Sequence, residues 1–328
     1  MIELSDLRLA ERMLGLGTET AFEVLARARE LERSGKSIVH LEIGEPDFDT
    51  PAHIKEAAIR ALHDGFTHYT PSAGLYEARE AVAEYIEVTR GIPVDPDEVV
   101  ITPGSKPVMF FAILALVNPG DEVIVPNPGY PIYESVARFV GGVAKPLVHR
   151  EEREFRVDPE ALRRLMTPKT KLVVLNSPHN PCGSVLTRND IEAIAEIVAR
   201  SNAMVLADEI YCQIMYDSTH TSIASLPGMK DRTIVLDGFS KAYAMTGWRL
   251  GFGVMRKDLA AKMAQLMVNS NSCAAAFTQI AGIAALRGPH EPVKKMVAEF
   301  RRRRDVIVAG LNAIEGVSCA VPAGAFYA

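Results

Sequence analysis

The chain has 328 residues, 48% of them hydrophobic and 23% charged, with a formal net charge of -5. This is ordinary globular composition, long enough for one large core and a smaller one, and its interspersed acids and bases leave no basic surface for nucleic acid. Cys182, Cys212, Cys273 and Cys319 form no C-x-x-C pair and the eight histidines show no ligand spacing, so a reduced, cytoplasmic protein without a protein-bound metal is expected. Met1 to Asp6 lacks a charged-then-apolar signal pattern, and no apolar run approaches membrane-spanning length.

Residues 1 to about 18 read as an arm or leading helix, and 19 to 34 repeat apolar positions at helical spacing (Phe22, Leu25, Ala26, Leu31). Ile38 to Ile43 alternates like a strand and ends in the turn cluster Gly44-Glu45-Pro46-Asp47. Pro51 opens a helix over 52 to 63, with Thr50 as its cap and Gly65 as its stop. A hydroxyl-rich loop, Thr67 to Gly74, leads into a helix that ends near Arg90. From Val99 the pattern changes. Apolar strands at 99–101, 122–125, 143–148, 172–175, 204–207, 234–236 and 252–254 alternate with helices at about 105–117, 129–140, 158–166 and 187–201. Continuous apolar strands joined by helices predict an α/β fold, a mostly parallel central sheet with helices on both faces, whose ligands gather at the carboxyl ends of the strands. One long helix is predicted from Asp258 to Leu286, a break at Gly288-Pro289, and a last helix from about Glu291 to Ile314 whose Arg301–Arg304 run reads as a solvated face.

Chemistry-bearing residues recur just after those strands. Lys241 and Arg249 lie in Asp237 to Arg249, an otherwise small, apolar and aromatic segment where a cation needs an anion or an electrophile. A lysine in such a place can lose its proton and act as an amine nucleophile. Gly104-Ser105-Lys106 joins a strand to an apolar helix, so it suits either a phosphate cup at a helix N-terminus capped by Ser105 or an ordinary turn. Asp208 ends the strand at 204–207, where an ionised carboxylate needs a cation; a protonated pyridine nitrogen would serve, and so would a structural ion pair. Tyr211 and Asn180 could donate to a ring oxygen, and Tyr130, on a Pro/Gly loop, offers a flat stacking surface; each also fits plain packing or turn formation. An amine nucleophile, a phosphate site, an acid for a pyridine nitrogen, two donors for a ring oxygen and a stacking ring are together the needs of pyridoxal 5′-phosphate.

These segments, with Gly44-Glu45-Pro46-Asp47-Phe48, Tyr69-Thr70-Pro71, Thr102-Pro103-Gly104, Pro128 to Pro131, Asn180-Pro181, Asp208 to Tyr211 and Ser240-Lys241 through Trp248-Arg249, occur in the order seen in the class I/II aminotransferases. The chain resembles that aspartate-aminotransferase-like group of fold-type-I pyridoxal-phosphate enzymes over nearly its whole length. The resemblance implies a large cofactor-binding domain at 48–286 and a smaller α+β domain from 1–47 and 287–328. It implies Lys241 as the Schiff-base lysine, Arg249, Gly104, Ser105 and Lys106 around the phosphate with Ser240 helping, and Asp208 on the pyridine nitrogen. Tyr211 and Asn180 would hold the ring oxygen, Tyr130 would stack on the ring, and Gly44 would lie by the substrate carboxylate. Tyr69 would reach the phosphate of the partner subunit, making a homodimer the active unit. The implied reaction moves an amino group from an L-amino acid to a 2-oxo acid, the freed lysine shuttling the Cα proton.

Two departures accompany the likeness. Cys182 stands where many members have threonine, with little consequence expected because the turn depends on its proline and glycine. The family's pattern continues beyond Pro322 to Ala328 into a segment that usually carries a carboxylate-gripping arginine, so an incomplete small domain is expected. A lyase of the same fold, or a truncated cofactor-binding protein with little activity, are the alternatives.

Overall fold

Most of the apolar runs become strands because they can be buried on both faces at once; the run at 143–148, at the sheet edge, buries only Leu147 fully. The structure, a computed structural model, describes residues 8–328. Seven strands among them form one sheet in the order β1-β7-β6-β5-β4-β2-β3. They are β1 (Val99–Thr102), β2 (Glu122–Asn127), β3 (Val143–Val148), β4 (Thr170–Asn176), β5 (Met204–Asp208), β6 (Thr233–Gly238) and β7 (Gly251–Val254). Neighbours from β3 to β6 are parallel, and β7 runs antiparallel between β6 and β1. The sheet is mostly parallel, as predicted.

Alternate residues of each strand divide between two cores. Val100, Leu172, Val174, Leu206, Ile234 and Leu236 pack on one face with α4 (Lys106–Leu116), α5 (Ile132–Phe139), α8 (Lys257–Ser270) and α10 (Glu291–Asn312). On the other face, Val173, Leu175, Val205 and Ala207 meet α6 (Pro159–Leu165) and α7 (Arg188–Ala199). There too, Val99, Ile101, Val235 and Phe252 meet α2 (Ala52–His63), α3 (Tyr76–Arg90) and α9 (Ala276–Arg287). Each fully buried aliphatic side chain contributes about 1.5–3 kcal/mol of transfer free energy. Both cores converge on β5 and β6, which makes the carboxyl ends of these strands a rigid place to mount a site.

Several predicted features differ. Ile38 to Ile43 follows α1 (Thr20–Arg33) but pairs with no strand among the described residues; Val39 is 81% and Leu41 84% exposed, so the apolar alternation has no sheet face to bury. The predicted long helix is two, α8 and α9, because the chain breaks at Asn271-Ser272-Cys273, where Ser272 takes a φ of 63° and the polar side chains bond locally. Thr50 does not cap α2: its hydroxyl donates to the Ala244 carbonyl and accepts from Trp248 Nε1, tying that helix start to the turn after β6. Ser105 makes no capping bond either and instead donates to the Asp237 carbonyl at 2.8 Å. The arginine run on α10 is paired, Arg301 and Arg304 with Asp217, Arg302 and Arg303 with Glu299, and Arg303 also with Asp47. The first seven residues of the predicted arm lie outside the described residues. The rest includes a single 3-10 turn at Glu11–Gly15, and the Gly17 N–H donates to Ser135 on α5 at 2.8 Å.

Candidate active site

Lys241 stands three residues beyond β6, in a turn closed by the Met245 N–H donating to the Ser240 carbonyl. Its ammonium donates to the Gly44 carbonyl, and its Nζ lies 5.8 Å from the centre of the Tyr211 ring and 5.6 Å from that of Phe326. Burial among these groups lowers the lysine pKa to about 8, although Glu45 and Asp208 pull the other way. An appreciable neutral fraction of the amine is therefore present at neutral to mildly basic pH.

Asp208 is the last residue of β5, next to the strand that leads to Lys241. Its carboxylate accepts from the Tyr133 hydroxyl at 2.5 Å and from the Ile210 N–H at 3.2 Å. Burial nevertheless pushes its pKa up to about 6, because two hydrogen bonds do not replace the lost water and the neighbouring Asp237 and Glu209 carboxylates oppose its charge. A buried acid of this kind fits a cationic ring nitrogen. Behind it is a cavity of about 20 Å³ lined by Ser177, Glu209, His220 and Thr221 among others, room for about one water molecule.

Tyr211 is buried three residues past β5, and its hydroxyl pairs with the Tyr327 hydroxyl at 2.6 Å. On β4, Asn176 donates to the Asp208 carbonyl at 3.0 Å and accepts the Asn180 N–H at 2.7 Å, so the Asn180 loop is pinned to the strand end bearing Asp208. Tyr130 stands edge-on to Tyr133 with ring centres 5.6 Å apart. Its hydroxyl donates to Glu19 at 2.5 Å, and Lys106 pairs with the same carboxylate.

The turn between β1 and α4 faces Arg249. Gly104 has a φ of +85°, and a Cβ there would collide with the Arg249 guanidinium, so glycine is what lets the arginine lie on the turn. Arg249 itself is exposed, with Nη1 donating to the Thr246 carbonyl at 2.7 Å. Ser240 is buried beside Lys241 in sequence. Gly44 is equally crowded: a Cβ would strike the Tyr327 hydroxyl.

The structure thus brings together Lys241, Gly44, Asp208 and Tyr211 at the ends of β5 and β6, and sets Gly104 against Arg249. Tyr130 and Asn180 reach Asp208 through Tyr133 and Asn176, Ser105 is tied to the Asp237 carbonyl before Lys241, and Lys106 shares the Glu19 carboxylate with Tyr130. Tyr69 is apart from these contacts and 90% exposed. Sequence reasoning missed Tyr133, Glu19 and Tyr327. Tyr133 lies one helical turn after Tyr130 on an amphipathic helix, where it is indistinguishable from a packing residue. Glu19 had no signal, since only the fold carries it to Tyr130.

The profile described as Aminotransferase class I and II matches residues 36–328. An aspartate aminotransferase from Rhizobium meliloti (strain 1021) is 39% identical over 321 residues, covering 97% of this chain and 78% of the relative. The structure of Thermus thermophilus aspartate aminotransferase with maleate superposes with a TM-score of 0.94 at 38% identity, covering 97% of this chain and 84% of that one. An aromatic aminotransferase from Pyrococcus horikoshii OT3 gives 0.86 at 40% identity over 92% of this chain and 81% of that one.

Proposed function

The chain belongs to the class I and II aminotransferases, enzymes that pass an amino group between an amino acid and a 2-oxo acid, and on that premise we propose that it does so with pyridoxal 5′-phosphate held on Lys241. The observation that carries this reading is the meeting, at the ends of neighbouring strands, of a largely buried amine lowered to about 8 and a buried acid raised to about 6. A phosphorylated pyridine aldehyde would answer both, and the close approach of the Arg249 guanidinium to the Gly104 turn supports these two as its anion site.

Bound there, the cofactor supplies an electron sink for the carbanion left when Cα loses its proton. The chain's own groups do the rest. Asp208, whose carboxylate accepts from Tyr133, would pair with the ring nitrogen and favour its protonated form. The Tyr211 hydroxyl, oriented by Tyr327, and the Asn180 carboxamide would hold the ring oxygen. Tyr130 would cover one face of the ring, and Arg249, Gly104, Ser105 and Lys106, helped by Ser240, would hold the phosphate. Lys241 Nζ, once the substrate amine has displaced it, would be the base that takes the Cα proton and the acid that then gives it up. Gly44, whose carbonyl takes the Lys241 ammonium, would lie by the substrate carboxylate.

L-aspartate is the first donor to try, since the Rhizobium meliloti and Thermus thermophilus relatives are named for it. We also propose a cytoplasmic homodimer in which Tyr69 serves the partner's site, with a large domain at 48–286 and a smaller one from the chain's two ends. The exposure of Tyr69 supports the homodimer. The test supplies L-aspartate with and without a 2-oxo acid acceptor. Sustained turnover should require the acceptor, and release of free ammonia without it would contradict the reading.

A further inference from the structure

We propose that Arg90 is a positioning residue for this reaction, a buried clamp that holds the strand end bearing Asp208 against the strand end bearing Lys241. The inference rests on the roles proposed for those two residues.

Arg90 is the last residue of α3, where Gly91 takes the left-handed conformation and turns the main chain away while the side chain continues inward. Its side chain is 1% exposed, and those of Glu209 and Asp237 are 3% exposed. Nε donates to Glu209 at 3.2 Å, Nη2 donates to Asp237 and to Cys212 Sγ, the latter at 2.9 Å, and Nη1 donates to Thr89 Oγ1 at 2.7 Å. The Tyr85 ring covers the guanidinium at 4.9 Å. His220 Nε2 stands 3.1 Å from the same Glu209 oxygen that accepts from Arg90.

The two carboxylates have informative positions. Glu209 adjoins Asp208, and its N–H donates across to the Leu236 carbonyl of β6 at 2.8 Å. Asp237 precedes Lys241 by four residues; its carboxylate also accepts the Gly238 N–H at 2.7 Å, and its carbonyl accepts the Ser105 hydroxyl at 2.8 Å. One guanidinium therefore fixes, each through a single neighbour, the residue proposed for the ring nitrogen, the turn leading to the lysine, and the turn proposed for the phosphate. Arg90 bonds to Glu209, Asp237, Cys212 and Thr89 rather than to the side chains of Asp208 or Lys241, so it acts through others.

A buried triad of charges is a poor way to gain stability, because desolvation offsets the attraction and apolar side chains of similar size would hold the fold as well. Its advantage over apolar packing is direction: a planar fork fixes two acceptors relative to each other, which a lysine, a point charge with rotatable donors, does not.

The test uses Arg90→Lys and the charge-neutral triple variant Arg90→Met/Glu209→Gln/Asp237→Asn, which leaves no carboxylate stranded. Three quantities are measured: melting temperature, kcat and KM with the cofactor bound, and the pH midpoint of Lys241 acylation in cofactor-free protein, read by mass spectrometry of the labelled peptide. Both variants should fold and keep KM within about threefold, while kcat falls about 10- to 100-fold, the scale of a small misplacement of reacting groups. The acylation midpoint should move by at least about half a pH unit, as the surroundings that set it shift. Folded variants with unchanged kcat and an unchanged midpoint would overturn the proposal, and so would failure of both to fold, which would assign the network to stability alone. The acylation readout needs no cofactor, so a failure of the pyridoxal-phosphate reading would be seen separately, as cofactor binding that ignores Lys241.

Discussion

Burial at Asp208 opposes ionisation while the Tyr133 hydroxyl favours it, and the carboxyl settles near 6 in the folded chain against about 3.9 in the unfolded one. A folded pKa above the unfolded value means that the native state binds more protons between those values. This group's stabilising contribution is then complete below about pH 4 and lost as pH rises through about 6. The cost of keeping Asp208 ionised at pH 8 is on the order of 3 kcal/mol as an upper bound. Calorimetry of the cofactor-free protein at pH 8 should therefore show Asp208→Asn melting a few degrees higher than the unaltered chain, and the gap should close toward pH 4. An equal or lower melting temperature at pH 8 would contradict the unpaired, buried acid. At this scale Lys241 and Asp208 were legible because each follows an apolar strand in which a charge is conspicuous. Tyr133 was not, because one face of a helix looks the same whether its hydroxyl packs or donates. Arg90 and Glu209 were hidden for a similar reason: only the fold brings residues 119 positions apart into hydrogen-bond contact.

The elements that hold the site are the turns after β1, β4, β5 and β6, and the tightest is Gly104. Gly104→Ala adds a methyl where the Arg249 guanidinium lies and strains a backbone at φ +85°. The expected outcome is a stability loss of about 1–3 kcal/mol and cofactor affinity weakened at least about tenfold. Equilibrium titration with pyridoxal phosphate checks this, and unchanged affinity would remove Arg249 and Gly104 from the anion site. Strand and helix positions in the sheet region were readable because β4, β5 and β6 are uniform apolar runs between turn residues. The unpaired 38–43 segment shows where the same reasoning fails: alternation signals a strand only if a sheet edge is present to receive it. The break at Ser272 was equally opaque, since local side-chain bonds rather than glycine or proline end α8.

At the scale of the whole molecule the open matter is what covers Tyr69. If it serves a second subunit, Lys241→Ala and Tyr69→Ala homodimers will each have low activity, yet refolding them together should restore it. The hybrid then contains one site with both residues intact. Activity no higher than the mean of the parents would place Tyr69 outside the partner's site. The order of motifs made the family legible from the sequence, and the match over 97% of this chain agrees with it; the dimer was an inference from that likeness, because a single chain's sequence does not mark which apolar surface is shared. The central claim is that Lys241 holds the cofactor covalently. Borohydride reduction of the protein with pyridoxal phosphate, followed by peptide mass spectrometry, should find one stable pyridoxyl modification, on Lys241, and none in Lys241→Ala. A modification on another lysine, or an equal yield in Lys241→Ala, would contradict the account.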